Sequence, residues 1–136
     1  LLNLVVRERN GLSYTIEAGF TPLSDTGIST IYFGTDRDKV DLCIELVNNE
    51  LEKIKRGEIS PRLLNMAKKQ FIGQMGVGTE NRESMALGLG KTFLHYNKYD
   101  TLEESFRRVE AVTASDLLEV ANEILDEKSI STLVFV

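Results

Sequence analysis

Three consecutive segments decide the fold of this chain: Ser13–Phe20 (SYTIEAGF), Pro22–Gly27 (PLSDTG) and Ile28–Gly34 (ISTIYFG). In the first segment every second residue from Tyr14 to Phe20 is apolar, which is the period-two pattern of a half-buried strand. The third segment is rich in β-branched and aromatic residues, as strands are. The segment between them is rich in turn-forming residues. Together they predict an antiparallel β-hairpin.

Helices are predicted on both sides of this hairpin. Leu1 to about Glu8 has the character of the last turns of a helix, which Asn10-Gly11 ends because glycine tolerates the left-handed conformation found there. Start signals recur further along the chain as capping residues and as proline at a first helical position. The predicted elements are a long helix from Thr35-Asp36 to Gly57, a helix from Ser60-Pro61, a third from Arg82 to about Tyr96, a fourth over Leu102–Val109, a fifth opened by the capping box Thr113–Asp116, and a last strand over Ser129–Val136.

This order of elements predicts an α+β fold, with a mainly antiparallel sheet and helices packed on one face. No linker or internal repeat divides the sequence, so we expect residues 1–136 to form a single domain. The chain opens in an apolar, helix-like stretch without an initiator Met and closes in an apolar strand. We therefore expect a fragment of the second domain of a larger two-domain chain, with the amino-terminal part of that domain truncated.

The composition is that of a folded, acidic protein. Of 136 residues, 42% are hydrophobic and 27% are charged, and the net charge is −5. Basic residues are interleaved with acidic ones, so no stripe suits phosphate backbones and nucleic acid is not an expected partner. No apolar run is long enough to span a bilayer. The one cysteine, Cys43, cannot form an internal disulfide, and we expect a reducing, cytoplasmic location.

Sequence motifs for catalysis or metal binding are missing. A catalytic zinc needs three protein ligands, whereas the chain has one histidine, His95, and no HExxH or HxxEH spacing. No metal site and no complete catalytic site are therefore expected in this fragment. His95 is predicted to lie at a helix end beside Tyr96, and Cys43 to be buried. Gly90-Lys91-Thr92 is not a phosphate-binding loop, because Met85 stands where the upstream glycine is required.

One segment, Arg7-Glu8-Arg9-Asn10-Gly11-Leu12-Ser13-Tyr14, carries residues suited to binding a peptide. Arg7 offers a rigid fork of donors and Tyr14 a hydroxyl, so together they could hold peptide carbonyl oxygens, and the hydroxyl could stabilise an oxyanion. A structural interpretation is also open. Arg7 would then neutralise the negative end of its helix, and Tyr14 would join Ile16 and Ala18 in the core.

The same segment resembles the RExxGLxY signature in the second domain of pitrilysin/insulinase-type zinc metallopeptidases, which include insulin-degrading enzyme and the mitochondrial processing peptidases. The resemblance covers essentially the whole chain, and the order of its short motifs is more specific than any one of them. The further matching stretches are Asp25–Gly27, Ile31–Asp36, Glu50–Ile54, Gly57–Ser60, Ala67-Lys68, Glu83-Ser84 and Glu110–Asp116. The chain is thus identified as similar to the second, non-zinc domain of a processing-peptidase-like enzyme.

The resemblance implies a half-clamshell metallohydrolase domain that works with a first domain. In the family, the first domain carries an inverted HxxEH zinc motif, and the second contributes an Arg and a Tyr that contact substrate in a closed chamber. By resemblance, Arg7 and Tyr14 occupy those substrate-binding positions, and zinc is held by the absent first domain. The implied partners are that first domain, a peptide substrate, and a second chain in a homodimer or heterodimer.

Two functions fit this resemblance. In the first, the chain is the substrate-contacting, non-zinc-binding domain of a zinc-dependent peptidase that cleaves unfolded peptides. In the alternative, the parent is a non-catalytic family member that acts as a structural subunit or as the partner of an active chain. Retention of both Arg7 and Tyr14 favours the first function. An HxxEH motif elsewhere in the parent distinguishes them.

Overall fold

The computed structural model describes residues 1–79 and 81–135 of the chain. The chain consists of two compact units. The first unit comprises residues 1–58 and 118–136, and the second comprises residues 59–117. In chain order the elements are a π-helix Asn3–Arg9, β1 Thr15–Pro22, β2 Gly27–Gly34, a 3-10 helix Arg37–Lys39, α1 Val40–Lys55, α2 Pro61–Gly78, α3 Arg82–Tyr96, α4 Leu102–Ala111, α5 Ala114–Ile124 and a 3-10 helix Glu127–Ser129. The predicted α+β class is confirmed.

The hairpin is confirmed with small shifts of its boundaries. β1 and β2 pair antiparallel from Thr15 opposite Gly34 to Pro22 opposite Gly27. The Leu23 N–H donates to the Thr26 carbonyl at 2.9 Å and closes the turn. The first strand thus begins at Thr15 rather than at Ser13, which excludes Tyr14 from the regular ladder.

The first unit contains a small apolar core on one face of the hairpin. Val6 of the π-helix, Ile16 of β1, and Cys43 and Val47 of α1 form one buried cluster. Cys43 and Val47 lie on the same side of α1 because residues four apart share a helix face. Phe33, the cross-strand partner of Ile16, packs against this cluster. The predicted burial of Cys43 and the packing of helices on one face are both borne out.

The second unit, residues 59–117, is helical, and its helices begin at well-formed caps. Ser60 Oγ accepts a first-turn N–H at 3.2 Å. Thr101 and Glu104 form a capping box, as do Thr113 and Asp116, whose two hydrogen bonds measure 2.7 and 3.2 Å. Such caps satisfy N–H groups that have no partner within the helix. The helix starts predicted at Ser60-Pro61 and at Thr113 are confirmed, as is the third helix.

The predicted last strand is wrong over the described residues. Ser129 ends a 3-10 helix, and residues 130–135 belong to no strand; Val136 lies outside the described residues. A strand requires a neighbour for its backbone hydrogen bonds, but β1 and β2 form a sheet of two strands. Leu133 and Phe135 are correspondingly 76% and 86% exposed. An apolar segment does not by itself supply a partner strand.

Candidate functional site

The site predicted from the sequence lies around the tight connection between the π-helix and β1. The predicted first helix is present and is a π-helix over Asn3–Arg9. π-Helical segments are rare in proteins, and many of those known lie at functional sites. Its end is formed as predicted, because Gly11 adopts a φ of +59°. The N–H groups of Gly11 and Leu12 donate to the carbonyls of Arg7 and Val6 at 2.9 and 3.0 Å. These bonds satisfy carbonyls that a helix end leaves unpaired.

Arg7 is exposed in the last turn of the π-helix. Within residues 1–79 and 81–135, its guanidinium forms no ion pair or hydrogen bond, and none joins it to Tyr14. A cation at this position interacts favourably with the negative end of the helix. Its five donors are also available to a ligand. The structure is therefore compatible with both interpretations of Arg7.

Tyr14 immediately precedes β1 and points into solvent. Its N–H donates to the Gly34 carbonyl at 3.1 Å, which fixes its backbone to the end of β2. The side chain is 74% exposed, whereas Ile16 is buried. Ala18 and Phe20, which share the alternation with Ile16 inside β1, are exposed as well, so Ile16 is the buried residue of this strand and the expected burial of Ala18 is also wrong. The interpretation of Tyr14 as a core residue is wrong, and its role in substrate binding stays a prediction.

Two hydroxyl side chains hold this connection against the end of β2. Ser13 Oγ donates to the Gly34 carbonyl at 2.9 Å, and Thr35 Oγ1 donates to the Leu12 carbonyl. Ser13 is itself buried. Neither supporting role was predicted from the sequence. The hairpin register indicates both roles, because Ser13 and Thr35 flank the paired ends Thr15 and Gly34 and therefore lie close to one another.

Asp36 and Lys39 complete the surroundings of Tyr14. The Tyr14 hydroxyl donates to Asp36 Oδ1 at 3.4 Å, and Lys39 Nζ donates to Asp36 Oδ2 at 2.5 Å. The hydrogen bond and the charge of Lys39 lower the pKa of the Asp36 carboxyl, with a smaller contribution from Tyr14. Asp36 was predicted to cap the long helix. That is wrong, because α1 begins at Val40 and the Asp36 side chain caps no backbone N–H.

A separate polar groove of about 450 Å³ lies between the π-helix and the second half of α1. Arg9, Arg56 and Lys53 line it together with Glu50. Glu50 is 4% exposed and is paired with Lys53, whose Nζ lies 2.5 Å from its Oε1. Neither Arg7 nor Tyr14 lines this groove, so it is distinct from the predicted site.

The described residues of this chain are not arranged to form a zinc site. Over residues 1–79 and 81–135, no three His, Cys, Asp or Glu side chains are grouped so that they could hold a metal ion. His95 lies in the last turn of α3 beside Tyr96, with the ring centroids 6.2 Å apart, as predicted. Cys43 is fully buried. No helix in the described part of the chain is long and apolar enough to cross a membrane.

A family model described as "Peptidase M16 inactive domain" matches residues 2–71, which include the π-helix, the hairpin, α1 and most of α2. The chain belongs to the peptidase M16 family. The resemblance to pitrilysin/insulinase-type zinc metallopeptidases seen in the sequence is thereby confirmed.

Known proteins similar to this M16 domain are longer than it. YmxG of Bacillus subtilis, named as an uncharacterized zinc protease, is 29% identical over 90% of this chain and 30% of the relative. A conserved protein from Enterococcus faecalis has a crystal structure with a TM-score of 0.72, 26% identity, and coverage of 89% of this chain and 28% of its own. A chain of Complex III2 from Candida albicans has a TM-score of 0.76 at 22% identity, covering 90% and 29%, and shares the fold. The M16 domain spans about 30% of the length of the curated relatives it matches.

Proposed function

We propose that this M16 domain is the substrate-contacting, non-zinc-binding part of a zinc-dependent peptidase that cleaves unfolded peptides in a closed chamber. The observation that carries the proposal is the state of Tyr14. Its backbone is fixed by the Gly34 carbonyl, while its ring is 74% exposed. A hydroxyl held at a defined place in solvent can meet a peptide carbonyl, whereas a core tyrosine could not.

In this proposal Tyr14 and Arg7 have separate roles. The Tyr14 hydroxyl donates a hydrogen bond to the oxygen that becomes negative in the transition state. Arg7 binds substrate carbonyls through its fork of donors, which the described part of the chain leaves unused. In the parent protein, zinc is held by the first domain and not by this one. The likeness to relatives named zinc proteases supports this division of roles.

The test is steady-state hydrolysis by the zinc-loaded parent protein, with self-quenched fluorescein-labelled casein as an unfolded substrate. Tyr14→Phe should lower kcat by roughly 10- to 1000-fold with little change in KM, as the loss of an oxyanion donor does. The matched control is Tyr32→Phe, which removes the hydroxyl of another exposed tyrosine of the hairpin, 64% exposed on β2. Unchanged turnover in the Tyr14 variant, or equal losses in both variants, would refute the assignment.

Arg7 is tested in the same assay by Arg7→Lys, with Arg9→Lys as its control in the same helix turn. Lysine keeps the charge and removes the fork, so a ligand-binding Arg7 should show a raised KM. If Arg7 serves only the helix end, both substitutions should leave the kinetics unchanged.

The alternative function is that of a non-catalytic M16 subunit or partner of an active chain. The fold is shared with a chain of Complex III2, so the fold by itself does not require a peptidase. The zinc content of the purified parent, after removal of loosely bound metal, separates the two functions. About one zinc per chain supports the peptidase, whereas no zinc supports the alternative. The proposal also includes a second chain in a homodimer or a heterodimer, and sedimentation of the purified parent tests for the homodimer.

A further inference from the structure

The Tyr14 hydroxyl has one hydrogen-bond partner within residues 1–79 and 81–135, the Asp36 carboxylate. The distance from Tyr14 Oη to Asp36 Oδ1 is 3.4 Å. The other oxygen of Asp36 lies 2.5 Å from Lys39 Nζ. A hydroxyl, a carboxylate and an ammonium group therefore form a short chain of contacts on the surface, in which Lys39 orients the carboxylate that faces Tyr14.

The backbone on both sides of this chain of contacts is already fixed. Tyr14 N–H donates to the Gly34 carbonyl at 3.1 Å, and Thr35 Oγ1 donates to the Leu12 carbonyl. The Lys39 N–H donates to the Asp36 carbonyl at 3.0 Å. These bonds do not restrain the side chain of Tyr14, which is 74% exposed. The contact with Asp36 selects one orientation of that ring.

Within the described residues, the Asp36 side chain pairs with Lys39 and caps no helix. Aspartate just before a helix commonly caps a first-turn N–H, but the Asp36 side chain makes no such bond with the 3-10 helix that follows it. We infer that Asp36, oriented by Lys39, is a positioning residue that holds the Tyr14 hydroxyl in place for substrate. This inference rests on the proposed role of Tyr14 in the parent peptidase.

The length of the contact suits this task. Hydroxyl-to-oxygen hydrogen bonds are ordinarily 2.5–3.0 Å long, and weaken as they lengthen. A contact of 3.4 Å is longer than this, so it orients the ring beside Asp36 and still lets the O–H turn to a substrate oxygen while the ring keeps its place. Because an unrestrained side chain must be ordered when it engages the substrate, loss of Asp36 should reduce the contribution of Tyr14 by about two- to tenfold.

The experiment is a double-mutant cycle in the zinc-loaded parent, with the self-quenched labelled casein as substrate. The variants are Asp36→Ala, Tyr14→Phe and the two together. Asp38→Ala is the matched control, because Asp38 is an exposed aspartate of the same turn that lies near Lys39 without contacting Tyr14. If the Asp36 variant does not fold, Lys39→Met is used instead, since it removes the group that orients the carboxylate.

We expect Asp36→Ala to lower kcat about two- to tenfold with KM unchanged, and Asp38→Ala to leave both unchanged. In the background of the Tyr14→Phe variant, Asp36→Ala should have no further effect. An equal loss in both backgrounds would overturn the inference, because Asp36 would then act independently of Tyr14. Normal kcat for Asp36→Ala alongside reduced kcat for Tyr14→Phe would overturn the inference and leave the proposed function intact. Normal kcat for Tyr14→Phe would refute the proposed function itself.

Discussion

Residues 1–58 with 118–136 contain every buried residue in the described part of the chain, whereas residues 59–117 contain none. The first unit closes a core around Val6, Ile16, Cys43 and Val47. In the second unit large apolar side chains remain exposed, for example Leu94 of α3 at 85%. The first unit is therefore stabilised by a buried core, whereas the second has capped helices and half-buried contacts between α2 and α4.

The largest expected effect is the loss of stability caused by truncating a buried side chain of the first unit. Ile16→Ala, at a residue 8% exposed, should reduce the free energy of unfolding of the first unit by about 2–5 kcal/mol, through lost transfer energy and the cavity left behind. Leu94→Ala is the matched control in the second unit and should change stability by less than about 0.5 kcal/mol. Hydrogen exchange of amides in each unit measures both. Equal losses would show that burial does not separate the two units.

A smaller effect is expected for glycine-to-alanine substitutions, which should have opposite results in the two units. Gly11→Ala should destabilise by about 1–2 kcal/mol, because a φ of +59° disfavours any side chain, although nothing lies within 4 Å of the added methyl group. Gly73→Ala, inside α2 and equally free of contacts, should stabilise by about 0.5–1 kcal/mol through helix propensity. Urea unfolding followed by circular dichroism checks the signs. Destabilisation at Gly73 would mean that the interior of α2 is not helical in solution.

The smallest expected effect concerns the caps of the second unit. The backbone N–H and the hydroxyl of Thr101 lower the pKa of Glu104 below its ordinary value of 4.5. Those of Thr113 lower the pKa of Asp116 below 3.8. A carboxyl whose pKa is lower in the folded state stabilises that state fully above its ordinary value, and this stability is lost as the pH falls through the folded value. The protection factors of amides in the first turns of α4 and α5, which correct for the intrinsic slowing of exchange in acid, should therefore fall on acidification.

The controls for this pH dependence are Glu104→Gln and Asp116→Asn, which keep an acceptor oxygen and do not titrate. Each should remove the acid-dependent change in its own helix and leave the other helix unchanged. If α4 and α5 of these variants still loosen in acid as the wild type does, the caps do not govern the stability of the second unit.

Much of the fold was predictable because its signals are local. The hairpin follows from the alternation of β1 and from the turn residues between the strands. Ser60-Pro61 and the Thr113–Asp116 box start helices through bonds within one turn, so reading a few residues suffices. The predicted strand at Ser129 failed for the opposite reason, since a strand depends on a partner that the sequence pattern does not specify.

Local signals in the sequence were sufficient to predict the family, the hairpin, most helix starts and the glycine at which the first helix ends, since these depend on backbone preferences and near neighbours. They also identified Arg7 and Tyr14 as candidate binding residues. The folded chain was needed to show that Tyr14 lies in solvent, that Ser13 and Thr35 hold the backbone beside it, and that Asp36 faces its hydroxyl. Those contacts join residues more than twenty positions apart, and they form only because strand pairing brings the end of β2 back to the start of β1.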